Sequence, residues 1–269
     1  MVYEFLFPLH TVFSSFNVFR YITFRTIFAS VTALLICLIL GRWLIRKLQT
    51  LQIDQQIRED GPKTHHVKKG TPTMGGIMII FAVVMATLLW ANLSVVYVWL
   101  VLLVMLGFGL IGFLDDYRKL ARKNSRGVPG KVRLAAEIAI ALGVGVILYF
   151  KPGFSTQVTI PFFKTVLPNL GWGYILLSVF IIVGAANAVN LTDGLDGLAT
   201  GPIIICFATY VFFAYFAGNI KVAQYLQIPY VPGTGELAVF CGALVGAALG
   251  FLWFNSYPAE IFKIGRAHV

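Results

Sequence analysis

The chain has 269 residues, of which 58% are hydrophobic and only 12% charged, with a mean hydropathy of +0.83. An ordinary water-soluble domain carries about a quarter charged residues, so this composition excludes one. The net charge of +10 does not make it a nucleic-acid binder, because the basic residues are confined to particular segments.

Residues 1–20 are apolar but broken by Pro8, His10, Asn17 and Arg20. They are not a cleavable signal peptide and are read as an interfacial segment. Charge-free runs follow at 26–41, 70–114, 165–192, 197–220 and 237–259. About twenty apolar residues span a bilayer as a helix, so 70–114 holds two spans, broken near Ala91-Asn92-Leu93-Ser94. Val132–Phe150 adds another that admits Arg133 and Glu137. The fold class is therefore all-α, a polytopic membrane helix bundle with seven spans. Residues 1–262 form one integral-membrane domain.

Segments 42–69 and 115–133 each hold seven of the 21 Lys and Arg residues, whereas 91–95 holds none. Cytoplasmic loops carry the Lys/Arg excess, so these two segments are placed inside and the N-terminus outside. Parity then puts 151–171 and 219–236 outside, and 191–197 and 254 onward inside. Outside, "GFSTQVTIPFFK" alternates polar and apolar residues, predicting a short hairpin, and "QIPYVPGTGE" is turn-rich. Cys37, Cys206 and Cys241 lie in spans as small apolar side chains, with no disulfide or zinc spacing.

Four polar stretches remain: "KKGTPTMGG" (68–76), "FLDDYRK" (113–119), "NAVNLTDGLDG" (187–197) and "FNSYPAE" (254–260). All four fall at the inner end of a span, which points to a single working face. Asp115 and Asp116 are adjacent, so on a helix they diverge by about 100° and need not share one task. Asn187, Asn190, Asp193 and Asp196 recur every third residue, giving a polar stripe on one side of a helix. Gly194 and Gly197 interrupt its helical character and let backbone N–H groups approach a ligand. Carboxylates and amide oxygens are hard donors suited to Mg²⁺. Lys68 and Lys69 with Thr71 and Thr73 supply contacts for a diphosphate. His65 and His66 lack a third nitrogen or sulfur ligand and are read as exposed loop residues. Asn255 and Pro258 end a span and turn the backbone, and Arg133 pairs with Glu137 at i,i+4. Together these features suit Mg²⁺-dependent phosphoryl transfer to or from a lipid, without naming a substrate.

The stretches "REDGPKTHHVKKGTPTMGG", "GFLDDYRK", "NAVNLTDGLDGLA" and "GFLWFNSYPAEIF" resemble those of the phospho-N-acetylmuramoyl-pentapeptide transferases. These belong to the polyprenyl-phosphate hexosamine-1-phosphate transferase superfamily, and the resemblance covers residues 15–262. It implies a ten-span pattern, often dimeric, in the bacterial inner membrane with the active face cytoplasmic. It implies transfer of phospho-MurNAc-pentapeptide from UDP-MurNAc-pentapeptide to undecaprenyl phosphate, giving lipid I and UMP for peptidoglycan, with Mg²⁺. Asp115 and Asp116 then match the paired catalytic acids, Asp115 as base or nucleophile. Asn190, Asp193 and Asp196 line the nucleotide-sugar site, with Asn187 and Asn255 nearby and Lys68 and Thr73 at its edge. Asp116 and Asn190 are the metal donors.

After "NSYPAEIF" the family continues with a metal-binding Met-Gly-Asp-x-Gly-Ser segment and a His-rich loop, where this sequence reads "KIGRAHV". Residues 263–269 are expected to be a non-native tail on a C-terminally truncated gene product. On that expectation the 269 residues alone release negligible UMP. The near rival is a transferase using UDP-N-acetylglucosamine, disfavoured by "GTPTMGG". An ion-coupled transporter would place acids near the midplane of several spans, where this chain has almost none. A membrane scaffold would have no need of acids and amides gathered on one face.

Overall fold

A computed structural model describes residues 2–11, 13–50, 74–121, 127–160, 163, 166–193, 197–257 and 259–261. The described residues are nearly all helical. A short α1 (Val2–Leu6) and two 3-10 turns, Phe7–Thr11 and Ser14–Arg20, lead into α2 (Ile22–Thr50). There follow α3 (Gly76–Trp90), α4 (Val96–Ala121), α5 (Gly130–Phe150), α6 (Gly173–Thr192) and α7 (Thr200–Gly218). The short α8 (Ile220–Leu226) precedes α9 (Leu237–Asn255).

Six of these helices are long and apolar enough to cross a bilayer: α2, α4, α5, α6, α7 and α9. The seventh expected span is α3, whose 15 residues rise only about 22 Å against a hydrocarbon core of about 30 Å. Its break from α4 falls at Ala91–Val95, where the Asn92 carboxamide accepts from the Ser94 N–H at 3.0 Å and turns the chain. The span expected over 165–192 begins only at Gly173, because Gly171 (φ 48°) and the preceding Pro168 and Asn169 keep the entry irregular. Among the described residues the predicted hairpin before it shows one antiparallel bridge, Gln157 with Asn169. Asn219 caps α8 by accepting from the N–H groups of Lys221 and Val222.

α9 is the hub. Of its membrane-length window 67% is buried, against 22% or less in the other spans. It lies against α2 through Gly242, Gly246 and Gly250. A Cβ on Gly242 would sit 2.9 Å from the Thr26 carbonyl oxygen, one on Gly250 3.0 Å from that of Leu34, and one on Gly246 against Ser30. Glycine every fourth residue lets two backbones touch, which is how helices pack where lipid removes the hydrophobic drive between them.

At the end where α2 and α9 begin and α3 stops, Arg25 and Glu236 form a buried two-point ion pair. Both guanidinium nitrogens donate to the carboxylate at 2.6 Å. Glu236 also accepts from the Asn92 N–H at 2.9 Å, and Arg25 donates to the Trp90 carbonyl and stacks on Tyr3. This pair ties three chain segments together. Arg25→Met should cost roughly 3–5 kcal/mol in a thermal unfolding measurement in detergent, because it strands a buried carboxylate. Arg25→Met with Glu236→Leu should recover most of that loss.

Candidate active site

The helix ends opposite the Arg25–Glu236 pair surround a cavity of about 450 Å³. Its walls are apolar, from Ile77 and Ile80 of α3, Phe108 and Phe113 of α4, and Ile203 and Phe207 of α7. Its polar groups come from four different helices and the turn after α6: Asp115 and Asp116, Arg133 and Glu137, Asn190, Asp193, and Thr200. An apolar chamber with a few convergent polar groups is the form small-molecule sites take.

Asp115 and Asp116 lie near the end of α4, and both are buried. The expected divergence does not separate them, since both line the cavity and Lys119 serves both. Its ammonium is 2.6 Å from Asp115 Oδ2 and 3.7 Å from Asp116 Oδ1. Asp115 Oδ1 accepts the Val128 N–H at 2.7 Å. A Cβ on Gly127 would collide with that same carboxylate, so only glycine lets the chain return this closely. Pro129, at φ −54°, then leads into α5.

Of the expected stripe, Asn187 and Asn190 lie on α6 and Asp193 caps its end, and the three do different work. Asn190 and Asp193 line the cavity. Asn187 lies one turn deeper and spends its amide on Glu137 Oε2 at 2.6 Å and on the Val183 carbonyl at 3.0 Å. The helix ends at Thr192, with Asp193 as its cap residue at ψ 46°. Gly197 adopts φ 70°, a conformation costly for residues with a Cβ. Asn255 fastens this turn: its carboxamide oxygen accepts from the Gly197 N–H at 3.1 Å and the Thr200 hydroxyl at 3.4 Å. Its NH₂ donates to the Ile261 carbonyl at 2.8 Å. Asn255 therefore supports the cavity from behind rather than lining it. Lys68, Thr73 and Asp196 lie outside the described residues, although Met74 and Gly76, which follow Thr73 in the chain, reach the cavity wall.

Arg133 and Glu137 pair as their spacing predicts, Nε to Oε1 at 2.9 Å. No local pattern signals that Asn187 closes on the same carboxylate, or that Thr200 joins the wall. Among the described residues no three His, Cys, Asp or Glu side chains cluster as a metal-binding group. The donors around the cavity are all oxygens, from Asp116, Asn190 and Asp193. That set fits a hard divalent ion such as Mg²⁺, which needs only one or two carboxylates and completes its shell with water and substrate phosphates.

The fold and the cavity define a multi-pass membrane enzyme whose polar chemistry is gathered at one end of a helix bundle. Comparison with known proteins gives its family. The family model for glycosyl transferase family 4 matches residues 98–263, and signature 1 of the phospho-N-acetylmuramoyl-pentapeptide-transferases matches residues 68–80. The phospho-N-acetylmuramoyl-pentapeptide-transferase of Syntrophus aciditrophicus is 71% identical over 262 residues, covering 97% of this chain and 73% of that protein. Proteins of the same name from Desulfotalea psychrophila and Citrifermentans bemidjiense are 58% and 56% identical over the same shares. The chain belongs to the phospho-N-acetylmuramoyl-pentapeptide-transferase family, phosphoglycosyl transferases of peptidoglycan synthesis. Such enzymes take a nucleotide-linked sugar-peptide and a lipid-phosphate acceptor and generally use a divalent metal.

Proposed function

We propose that this chain transfers phospho-MurNAc-pentapeptide from UDP-MurNAc-pentapeptide to undecaprenyl phosphate, using Mg²⁺, at the cytoplasmic face of the bacterial inner membrane. The observation that carries this reading is the convergence of Asp115, Asp116, Asn190 and Asp193 on one apolar-walled cavity. Carboxylates that hold a divalent ion can receive phosphates through it, and apolar walls can receive a lipid tail. In the reaction an oxygen of the lipid phosphate attacks the sugar-linked phosphorus of the donor. The bond to the bridging oxygen breaks, and UMP leaves with that electron pair.

A lipid phosphate is already anionic at neutral pH, so attack needs no proton removed. Asp115 fits this reading as an organiser, since its oxygens are held by Lys119 and Val128. Those bonds draw electron density from both oxygens and make Asp115 a weaker nucleophile than the lipid phosphate. Asp116 and Asn190 would hold Mg²⁺, which when bound neutralises charge on the two phosphates. Asp193 and Asn190 orient the donor, and the apolar walls keep water from competing as acceptor. Residues 1–262 act as one domain in this reading, with Lys68, Thr73 and Asp196 completing the donor site; a homodimer is the expected assembly.

The test is UMP release with each nucleotide sugar. The samples are the 269-residue chain and a chimera that appends the part of the S. aciditrophicus relative following the matched segment. The chimera should release UMP from UDP-MurNAc-pentapeptide only with undecaprenyl phosphate present, fall silent in EDTA and recover with Mg²⁺. Preference for UDP-N-acetylglucosamine would overturn the proposal.

A further inference from the structure

Glu137 is a carboxylate two turns inside an apolar helix, and only 2% of the residue is exposed. An ionisable group in such a place is costly and calls for a specific partner and purpose. Its two oxygens are divided between two partners. Oε1 accepts from Arg133 of its own helix, and Oε2 accepts from Asn187 of α6 at 2.6 Å. The same Asn187 nitrogen also donates to the Val183 carbonyl, which uses both N–H bonds of that amide. Asn187 therefore presents no donor to the cavity. Its amide is a fastening point.

What it fastens is the rotation of α6. At 100° per residue, Asn190 lies about 60° around the helix from Asn187, and Asp193 another 60° beyond. Turning α6 about its axis would carry both off the cavity wall together. Further along the same helix pair, Gly145 of α5 lies close to Ser178, where a Cβ would come within 2.5 Å of the hydroxyl oxygen. That contact sets how near the helices approach but bears on no polar register. The hydrogen bond from Asn187 to Glu137 does set the register, and it does so one turn from the residues that matter. The same carboxylate holds the guanidinium of Arg133, itself part of the cavity wall.

We infer that Glu137 is a positioning residue: it locks α6 to α5 so that Asn190 and Asp193 face the donor, and it aims Arg133 across the same space. This rests on the transferase reading for what the donor is, but the lock itself can be measured without turnover. The experiment uses the chimera in detergent with Glu137→Ala, Glu137→Gln, Asn187→Ala and the Glu137→Ala/Asn187→Ala double variant. Two quantities are read: the unfolding temperature, and the dissociation constant for UDP-MurNAc-pentapeptide.

If the two side chains act through each other, the double variant should lose no more thermal stability than the worse single one. Additive losses overturn the lock. Glu137→Ala should weaken donor binding about tenfold or more, as sub-ångström misplacement of binding groups does. Glu137→Gln, whose amide oxygen still accepts from Asn187, should return to within about threefold of the unmodified chimera. Folded Glu137→Ala that binds donor normally overturns the positioning role, because a merely structural carboxylate would leave affinity untouched. If Glu137→Ala does not fold, Glu137→Gln and Asn187→Ala carry both readouts. A chimera without these substitutions that binds no donor, while its stability cycle remains non-additive, sinks the transferase reading and leaves the lock in place.

Discussion

Asp116→Asn is expected to lower UMP release by the chimera on the order of a thousandfold, because a weakened hold on Mg²⁺ forfeits several kcal/mol of charge stabilisation on the phosphates. The substitution conserves shape. It removes one negative charge from a buried carboxylate that lies 3.7 Å from Lys119 and faces the cavity shared with Asn190 and Asp193. Because Asp115 keeps Lys119 at 2.6 Å and the Val128 N–H at 2.7 Å, the end of α4 and the turn after it should stay in place. The unfolding temperature should therefore remain near that of the parent while turnover collapses. A tenfold loss or less would remove Asp116 from the reaction. A companion measurement separates direct attack from a covalent route. With labelled UMP and donor but no lipid phosphate, direct attack predicts no label entering the donor. Exchange under those conditions would instead show a phospho-enzyme, with Asp115 its nearest candidate nucleophile.

Much of this arrangement was legible in the residues, for physical reasons that differ from one feature to the next. The spans were visible because a bilayer demands long runs without charge. The gathering of polar motifs at one end followed from parity alone, and the structure brings Asp115, Asp116, Asn190 and Asp193 around one cavity. What a three-residue spacing could not tell was the task of each member of the stripe. Asn187 and Asn190 are the same residue type on one helix, yet the first is bound to Glu137 and the second faces the cavity. That difference depends on the neighbouring helix, and no local pattern encodes it. Asn255 is similar: its motif marks the end of a span, but its bonds to Gly197 and Thr200 are long-range. The Arg25–Glu236 pair joins residues 211 positions apart, with no spacing rule to announce it.

The glycines of α9 were also present in the sequence, at 242, 246 and 250, but among 26 glycines their role became clear only from what they touch. Gly246→Leu should be the most damaging single change to the fold. Its Cβ alone would strike the Ser30 backbone of α2, and a helix backbone cannot step aside as a flexible side chain can. The two helices must separate, and α9 is the most buried element of the bundle, so the separation loosens every helix that leans on it. Overpacking of a tight core costs about 1–3 kcal/mol where neighbours can adjust. Here the neighbour is backbone, so a loss of at least about 3 kcal/mol is expected, read as a fall in unfolding temperature of roughly 6–12 °C and in the yield of monodisperse protein. Gly143→Leu on α5 is the control, because nothing lies within 4 Å of a Cβ there. It should leave both quantities close to the parent. Equal damage from the two substitutions would mean that leucine is harmful by bulk anywhere in these spans, and that the α2–α9 contact is not the joint on which the bundle depends.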